Sequence, residues 1–266
     1  MTSPMIRKLN GLLKTETIGK VIHYFDETVS TNTVLSRLAE NGASEGTAVI
    51  ADKQTGGKGR LGRKWISPPG MNLYISVLFR PAVPAWESPI FTFLASIALA
   101  ETIKKTGIRN TVIKWPNDVQ IDGKKAAGVL TEMEPKGERV DYIVVGIGVN
   151  INMTRGQIKQ EMGETAKFAT SLKESLGEDV DRAKFAGDLL VELESWYQTF
   201  NRRGKSSIIK EWTKRWGGCN KRVRVSTEGG DTIEGIATGI DGEGHLLLKQ
   251  DDENVIKITT GDVSII

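Results

Sequence analysis

Hydrophobic and polar positions alternate with two different periods along the chain, and the places where the period changes mark out its elements. Residues 21–25 (VIHYF) read as a strand, and residues 31–40 as a helix with Val34, Leu35 and Leu38 on one face, closed by Asn41-Gly42. Residues 47–51 form a short apolar run of strand type, and residues 73–79 another, so the glycine-rich basic segment 53–64 is a loop between two strands. Residues 91–105 carry apolar side chains at helical spacing and stop before Gly107. Four more strands follow at 112–115, 119–121, 128–133 and 142–149, with Asp122-Gly123 as a tight hairpin turn. The simplest assembly is α+β, a mixed β-sheet flanked by helices.

After Asn150 the pattern turns helical, with long segments at 182–200 and 207–216, until Gly217-Gly218 breaks it. A domain boundary is placed there, giving residues 1–217 and 218–266. The second part alternates the short runs RVRV, TIEGIA, HLLLK and VIKIT with Gly/Asp turns, which predicts a small β-barrel of about five strands. No internal repeat or low-complexity tract interrupts either part.

Composition narrows the picture. With 39% hydrophobic and 26% charged residues among 266, the chain is ordinary globular material. It has no apolar run of signal-peptide or membrane-helix length, so a cytoplasmic protein without a membrane partner is expected. Cys219 is the single cysteine, and His23 and His245 stand far apart, which removes disulfides and argues against a structural zinc site. The net charge of +3 is too small to imply a nucleic-acid partner by itself.

What matters is where the charge sits. Between Lys53 and Trp65 there is no acidic residue, and in Gly56-Gly57-Lys58-Gly59-Arg60-Leu61-Gly62-Arg63-Lys64-Trp65 glycines interleave with four cations. Closely spaced glycines let backbone amides converge on an anion while Arg and Lys add charge and directed donors, so the composition suits a phosphate cradle. The Gly-Lys-Ser/Thr ending of a Walker loop is missing, and a solvated basic turn would have the same composition. Lys114-Trp115-Pro116-Asn117-Asp118 ends a strand with two oxygen-bearing side chains that could face a hard cation or a ribose, or form a plain turn. Lys125, before the apolar run Ala126-Ala127-Gly128, could neutralise a substrate carboxylate, or pair with Lys124 in solvent. Ser30-Thr31-Asn32 opens a helix, either as an N-cap or as a set of ligand donors. Gly146-Ile147-Gly148-Val149-Asn150 ends a strand where glycine permits a close approach by a ligand or by another element.

In this order and together, these segments resemble the biotin protein ligase family, from about Val21 to Ile266. The family's Gly-Arg-Gly-Arg-x-Gly-Arg-x-Trp is matched over residues 57–65, its Lys-Trp-Pro-Asn-Asp over 114–118 and its Lys-x-Ala-Gly over 125–128. Its Ser-Thr-Asn falls on Ser30, Thr31 and Asn32, its pocket glutamine on Gln54, and its Gly-x-Gly-x-Asn on residues 146–150. One departure is Lys58, which stands where the family has an arginine and so lacks the planar, bidentate fork. The resemblance implies a catalytic domain akin to class II aminoacyl-tRNA synthetases followed by an SH3-like barrel. It also implies ATP-dependent conversion of biotin to biotinyl-5'-adenylate with Mg2+, and transfer to a lysine of a biotin carboxyl carrier protein, of acetyl-CoA carboxylase or a similar enzyme. A catalytic-domain homodimer would suit the family.

By the same resemblance Ser30, Thr31, Asn32, Gln54, Lys58, Gly59, Arg60, Lys125 and Gly128 are candidate biotin ligands. Gly57, Lys58, Arg60, Arg63, Trp65, Lys114, Asn117, Asp118 and Asn150 are candidates for ATP and the adenylate. Arg60 and Lys125 are assigned to the carboxylate and α-phosphate, Asn117 and Asp118 to Mg2+ held through the nucleotide, and Asp118 also to deprotonation of the acceptor lysine. Relatives that double as repressors carry an N-terminal helix-turn-helix; the Ser-Thr-Asn segment here begins at residue 30, so specific DNA binding is not expected. Two rivals remain at this stage. A lipoate protein ligase would share the chemistry, though not the complete glycine-rich and Lys-Trp-Pro-Asn-Asp segments. A nucleic-acid-binding module would use the basic loop and the barrel, but lacks aromatics interleaved with the cations.

Overall fold

A computed structural model describes residues 3–227 and 230–266. The first part runs α1 (Pro4–Leu12), β1 (Ile22–Thr28), α2 (Thr31–Glu40), β2 (Ala48–Gln54), β3 (Leu73–Phe79), α3 (Pro89–Lys105), β4 (Thr111–Lys114), β5 (Asp118–Ile121), β6 (Lys124–Lys136) and β7 (Arg139–Val149). It continues through α4 (Arg155–Met162), α5 (Leu172–Leu176), α6 (Arg182–Arg203) and α7 (Lys205–Arg215) to β8 (Arg222–Ser226), β9 (Thr232–Ile240), β10 (Leu246–Lys249), β11 (Val255–Ile258) and β12 (Asp262–Ile265). β1 to β7 form one mixed sheet in the order β1-β2-β3-β7-β6-β5-β4, in which only β1 and β2 pair in parallel.

The alternation along the central strands serves two different interiors, because successive side chains of a strand point to opposite faces. On β3, Leu73, Ile75, Val77 and Phe79 join the main core with α3, α6 and α7, whereas Leu78 joins a smaller core under α2 with Val49, Val144, Leu35 and Ala39. The residues of β3 that share Leu78's face are Tyr74 and Ser76, and across the ladder they meet Gly148 and Gly146 of β7. That row continues from Gly148 to Gly128 on β6 and from Gly128 to Asp118 on β5. The face covered by α2 at one end therefore carries glycines and small polar residues at the other, which leaves room for a site at the N-terminus of α2.

The helix at 31–40 and the strand at 73–79 lie where the hydrophobic pattern put them. Asp122 and Gly123 both have positive φ, 48° and 75°, as a tight hairpin turn between β5 and β6 demands. β6 and β7 extend further than expected, to Lys136 and from Arg139. α1 was not anticipated. It buries Ile6 and Leu9 against α6 and is pinned by an ion pair between Lys8 and Asp181. The carboxylate of Glu194 on α6 accepts the backbone N–H groups of Glu16, Thr17 and Ile18 at 2.8, 2.6 and 2.9 Å, fastening the segment after α1.

β8 to β12 make a separate antiparallel sheet in the order β11-β10-β9-β8-β12, of the SH3-like kind. It is firmly docked: Trp115 Nε1 donates to the Gly244 carbonyl at 3.1 Å. Gly244 is needed at that contact, since a Cβ there would lie 2.7 Å from the ring of Phe93 on α3. Among the described residues no helix is long and apolar enough to cross a membrane.

Candidate active site

A cavity of about 140 Å3 opens on the glycine face of the larger sheet, beneath the basic loop. Its inner end is neutral and polar. Thr31 donates its backbone N–H and hydroxyl to Gln54 Oε1 at 2.9 and 3.2 Å, and Gln54 Nε2 donates to Ser67 Oγ at 3.0 Å. Ser76 Oγ lies 2.7 Å from Thr31 Oγ1 and donates to Asn32 Oδ1 at 2.6 Å, while Asn32 Nδ2 reaches the Leu130 carbonyl and Glu132 Oε2 at 3.2 and 2.7 Å. Ser30 occupies the N-cap position of α2 without a side-chain capping bond, and its buried side chain lines the cavity instead. The close fit of Asn32 needs Gly146: a Cβ at that position would stand 2.1 Å from Asn32 Oδ1.

The middle of the cavity is defined by Trp65. Its indole lies so close to the sheet that a Cβ on Gly148 would be 2.4 Å from Cε2, and one on Gly128 3.2 Å from Cζ3. The strand glycines thus accommodate an aromatic ring, and Trp65 Nε1 is buried with no acceptor among the described residues. Lys125 Nζ sits 5.3 Å from the centre of the Trp65 ring and 2.6 Å from Asp118 Oδ1, an arrangement that combines a cation–π contact with an ion pair.

The outer end is cationic. Lys58, Arg60, Arg63, Lys64 and Lys125 line the cavity with the carboxylates of Asp118 and Asp262, so its charge is positive. The loop is shaped by its own backbone: Gly59 N donates to the Arg63 carbonyl at 2.7 Å and Trp65 N to the Gly57 carbonyl at 2.9 Å, around a tip where Leu61 and Gly62 have φ of 58° and 70°. Arg60 Nη1 donates to Asn117 Oδ1 at 3.4 Å and Nη2 to Thr260 Oγ1 at 3.2 Å, and Arg63 Nη2 pairs with Asp262 Oδ2 at 2.7 Å. Two residues of the C-terminal sheet region therefore hold two cations of the loop. Lys58, the departure noted in the sequence, faces Glu132 at 3.8 Å.

Of the residues singled out in the sequence, Ser30, Thr31, Asn32, Gln54, Lys58, Gly59, Arg60, Arg63, Trp65, Asn117, Asp118, Lys125 and Gly128 converge on this cavity. Three do not line it. Gly57 lies in the outer groove of the loop, where its lack of a side chain admits the Trp65 carbonyl, 2.4 Å from the Cβ it would carry. Lys114 ends β4, and Asn150 is buried with Nδ2 on the Thr170 carbonyl at 3.0 Å. Tyr74, Ser76, Leu130, Thr260 and Asp262 escaped the sequence reading, because single residues of these types carry no local signature. A further segment approaches Lys125: Thr170 N donates to the Lys125 carbonyl at 2.9 Å, and neighbouring Phe168 is 65% exposed.

Comparison with known proteins agrees with this geometry. Residues 24–150 match the model of the Biotin/lipoate A/B protein ligase family, and residues 218–265 that of the Biotin protein ligase C terminal domain. The chain is 38% identical over 253 residues to the bifunctional ligase/repressor BirA of Bacillus subtilis, covering 95% of this chain and 76% of that protein. It is 32% identical over 224 residues to the biotin--[acetyl-CoA-carboxylase] ligase of Paracoccus denitrificans, covering 84% of this chain and 91% of that one. Among solved structures, the biotin protein ligase from Aquifex aeolicus in complex with biotin and ATP superposes with a TM-score of 0.76 at 29% identity, covering 93% of this chain and 99% of that one.

Proposed function

Since the chain belongs to the biotin/lipoate A/B protein ligase family, and within it to the biotin protein ligases, we infer the following reaction. ATP activates the carboxylate of biotin to biotinyl-5'-adenylate, and the biotinyl group is then passed to a lysine of a carboxylase carrier protein. The observation that carries this reading is the polarity gradient of the cavity, from the hydrogen-bonded Thr31, Asn32, Gln54 and Ser76 at one end to five cations at the other. Polar groups already positioned by one another favour a buried ligand that presents matching donors and acceptors. The ureido ring of biotin supplies them; the dithiolane of lipoate does not.

A carboxylate is a poor electrophile. In the first step one of its oxygens attacks the α-phosphorus and pyrophosphate leaves, so the protein's task is to bring two anions together and neutralise the charge that moves to the leaving group. Lys125 and Arg60 are placed for the carboxylate and α-phosphate, and Arg63 and Lys64 for the outer phosphates. Asp118 orients Lys125 through their ion pair, and Asn117 orients Arg60 while its own Nδ2 is fixed on the Val129 carbonyl at 2.7 Å. Trp65 covers the join and offers its unpaired Nε1.

Mg2+ fits this site only as an ion carried by the polyphosphate. Asn117 and Asp118 supply one amide and one carboxylate oxygen, both already facing cations, which suits an ion that keeps most of its ligands from phosphate and water. Its contribution when bound is to offset phosphate charge. In the second step the lysine nitrogen attacks the acyl carbon, the acyl–phosphate C–O bond breaks and AMP departs.

The same reading places the division between catalytic and C-terminal domains at residues 217/218, takes the carrier to be that of acetyl-CoA carboxylase, and assigns a cytoplasmic location and a catalytic-domain homodimer. Specific operator binding is not part of it, and a mobility-shift assay that found such binding would add a second activity. Pyrophosphate exchange into ATP, run with biotin, with lipoate and with neither, tests the core of the proposal. Exchange with biotin alone is expected; exchange with lipoate alone, or with neither, would overturn it.

A further inference from the structure

A second cavity, of about 260 Å3, lies where the C-terminal sheet docks on the catalytic domain. It shares Arg60, Asn117, Val129 and Leu130 with the first, so the Arg60–Asn117 hydrogen bond stands between the two spaces. Its walls toward α3 and β6 are mostly apolar, and Arg60 is the only charged residue that the catalytic domain contributes to them among the described residues. The wall from the C-terminal domain is Thr259 and the turn between β9 and β10, which brings Glu243 and His245.

This turn is built rather than loose. Asp241 Oδ1 accepts the backbone N–H groups of Glu243 and His245 at 2.9 and 3.0 Å, and the turn is clamped to the catalytic domain by Trp115 and Phe93 at Gly244. The other carboxylate oxygen, Oδ2, lies 3.2 Å from His245 Nδ1 and 2.9 Å from Lys257 Nζ. Burial raises the pKa of Asp241, but the Lys257 ammonium, the two backbone N–H groups and the His245 ring outweigh it and hold the carboxyl well below the usual carboxylate range. An ionised Asp241 facing Nδ1 requires the proton on that nitrogen, which leaves Nε2 of a neutral ring as an acceptor. Around the imidazole the charged groups are Asp241, Glu243 with Oε2 at 3.4 Å, Lys257 beyond Asp241, and Arg60 across the cavity.

The transfer step needs such a group. A lysine with a pKa of about 10.4 is almost wholly protonated at neutral pH, and the ammonium cannot attack an acyl carbon. Asp118 faces the Lys125 ammonium through Oδ1 at 2.6 Å, so that oxygen is occupied by a cation of the site. We propose that the second cavity receives the acceptor lysine, its methylene stem along the apolar walls, and that His245, oriented by Asp241, first takes one proton from its ammonium, so that the neutral amine attacks the adenylate past Arg60 and Asn117. The N–C bond forms, the acyl–phosphate C–O bond breaks and AMP leaves with the electron pair; the second proton that the nitrogen loses in becoming an amide passes to the departing phosphate, and the first rests on Nε2 until solvent removes it. This rests on the ligase reading above and extends it to the second half-reaction.

The test uses the full-length protein with preformed biotinyl-adenylate in single-turnover transfer. With a biotin carboxyl carrier domain as acceptor, His245→Gln should slow transfer by on the order of 100-fold at neutral pH, the contribution typical of a positioned base. With hydroxylamine, a nucleophile already unprotonated at that pH, the same variant should react at the wild-type rate, and its biotin-dependent pyrophosphate exchange should match wild type, which also shows that it folds. Asp241→Asn, which keeps the oxygen that caps the turn, should give an intermediate loss with the carrier. Unchanged carrier transfer in His245→Gln, equal slowing with hydroxylamine, or a change in carrier KM alone would overturn the proposal. Absence of biotin-dependent exchange in the wild type would instead remove the ligase reading on which it stands.

Discussion

The floor of the active site and the loop above it solve opposite problems. The floor is made of buried and half-buried residues, most of them on strands and at the start of α2, and its polar atoms are engaged with one another: Thr31 with Gln54, Gln54 with Ser67, Ser76 with Asn32, Asn32 with Glu132. The loop is half exposed, its cations are held by groups from distant segments, and its charge is compensated only in part. A neutral bicyclic ligand is recognised by donors and acceptors that must be in place beforehand, because an unpaired one costs about 1–3 kcal/mol when buried. Phosphates are recognised by charge, which tolerates adjustment and can exchange a protein carboxylate for a ligand oxygen. Substitutions should therefore damage the two regions differently.

The largest effect belongs to the floor. A methyl group on Gly146 would stand 2.1 Å from Asn32 Oδ1, and one on Gly148 2.4 Å from the Trp65 ring. Neither neighbour can move without breaking buried contacts, so Gly146→Ala and Gly148→Ala should each cost about 1–3 kcal/mol of stability from overpacking. Biotin-dependent exchange should fall by roughly 10- to 100-fold, at about 1.4 kcal/mol per decade. Thermal melting with and without biotin checks this: both the midpoint and its biotin-induced rise should drop. A wild-type biotin shift in Gly146→Ala would mean that the Asn32 network is not part of the ligand site.

The next effect lies at the inner edge of the loop. Removing Arg60 deletes a charge-assisted donor worth about 1.5–3 kcal/mol and opens the partition it forms with Asn117. Arg60→Gly should retain adenylate formation at a reduced rate but lose the intermediate to solvent roughly ten times faster or more. It should then label bystander proteins at exposed lysines. Gel filtration of radiolabelled adenylate with the protein, followed by incubation with serum albumin, measures both. Full retention of the label would count against Arg60 as a closing group.

The contrast between floor and loop also sorts what the sequence made legible. Where one side chain after another obeys a period or a motif, as in α2, β3 and the 57–65 segment, the reading and the structure agree, because burial and turn chemistry act on neighbours in the chain. The strand glycines Gly146 and Gly148 mark sites of close approach in the sequence, but the side chains that approach them, Asn32 and Trp65, come from far earlier in the chain, and nothing local names those partners. Lys114 and Asn150 belong to matching motifs and still stand outside the cavity, since a motif conserves the packing of a strand end as well as contact with a ligand. Thr260 and Asp262 were invisible for the same reason in reverse: Arg60 and Thr260 are 200 residues apart in sequence. α1 was missed because two buried positions, Ile6 and Leu9, in a short polar stretch make too weak a period to register.

A smaller effect separates the two partners of the Arg63–Asp262 pair, whose side chains are 55% and 46% exposed. Such an exposed pair contributes at most about 1 kcal/mol to stability, so Asp262→Asn should leave the melting temperature nearly unchanged. If Arg63 serves the outer phosphates, Arg63→Ala should raise the KM for ATP by roughly tenfold, the cost of one charge-assisted contact, and the increase should shrink at high salt. Asp262→Asn should change that KM by less than about threefold, since the cation remains. Equal increases in both variants would show that the carboxylate positions Arg63 rather than merely occupying it.

The smallest effect concerns the docked turn of the C-terminal sheet and is lost only in acid. The carboxyl of Asp241 is raised by burial but lowered further by Lys257, the Glu243 and His245 amides and the His245 ring, so its folded pKa lies below that of the unfolded chain. A depressed carboxyl binds fewer protons in the folded state, so the stability it contributes is complete above about pH 4 and is lost as the pH falls further. Asp241→Asn keeps the oxygen that accepts the Glu243 and His245 amides and removes only the charge. The wild type should therefore melt higher than this variant at pH 5, and the gap should narrow by pH 3. A gap that is the same at both values would assign the difference to the geometry of the turn and not to its ionised carboxylate.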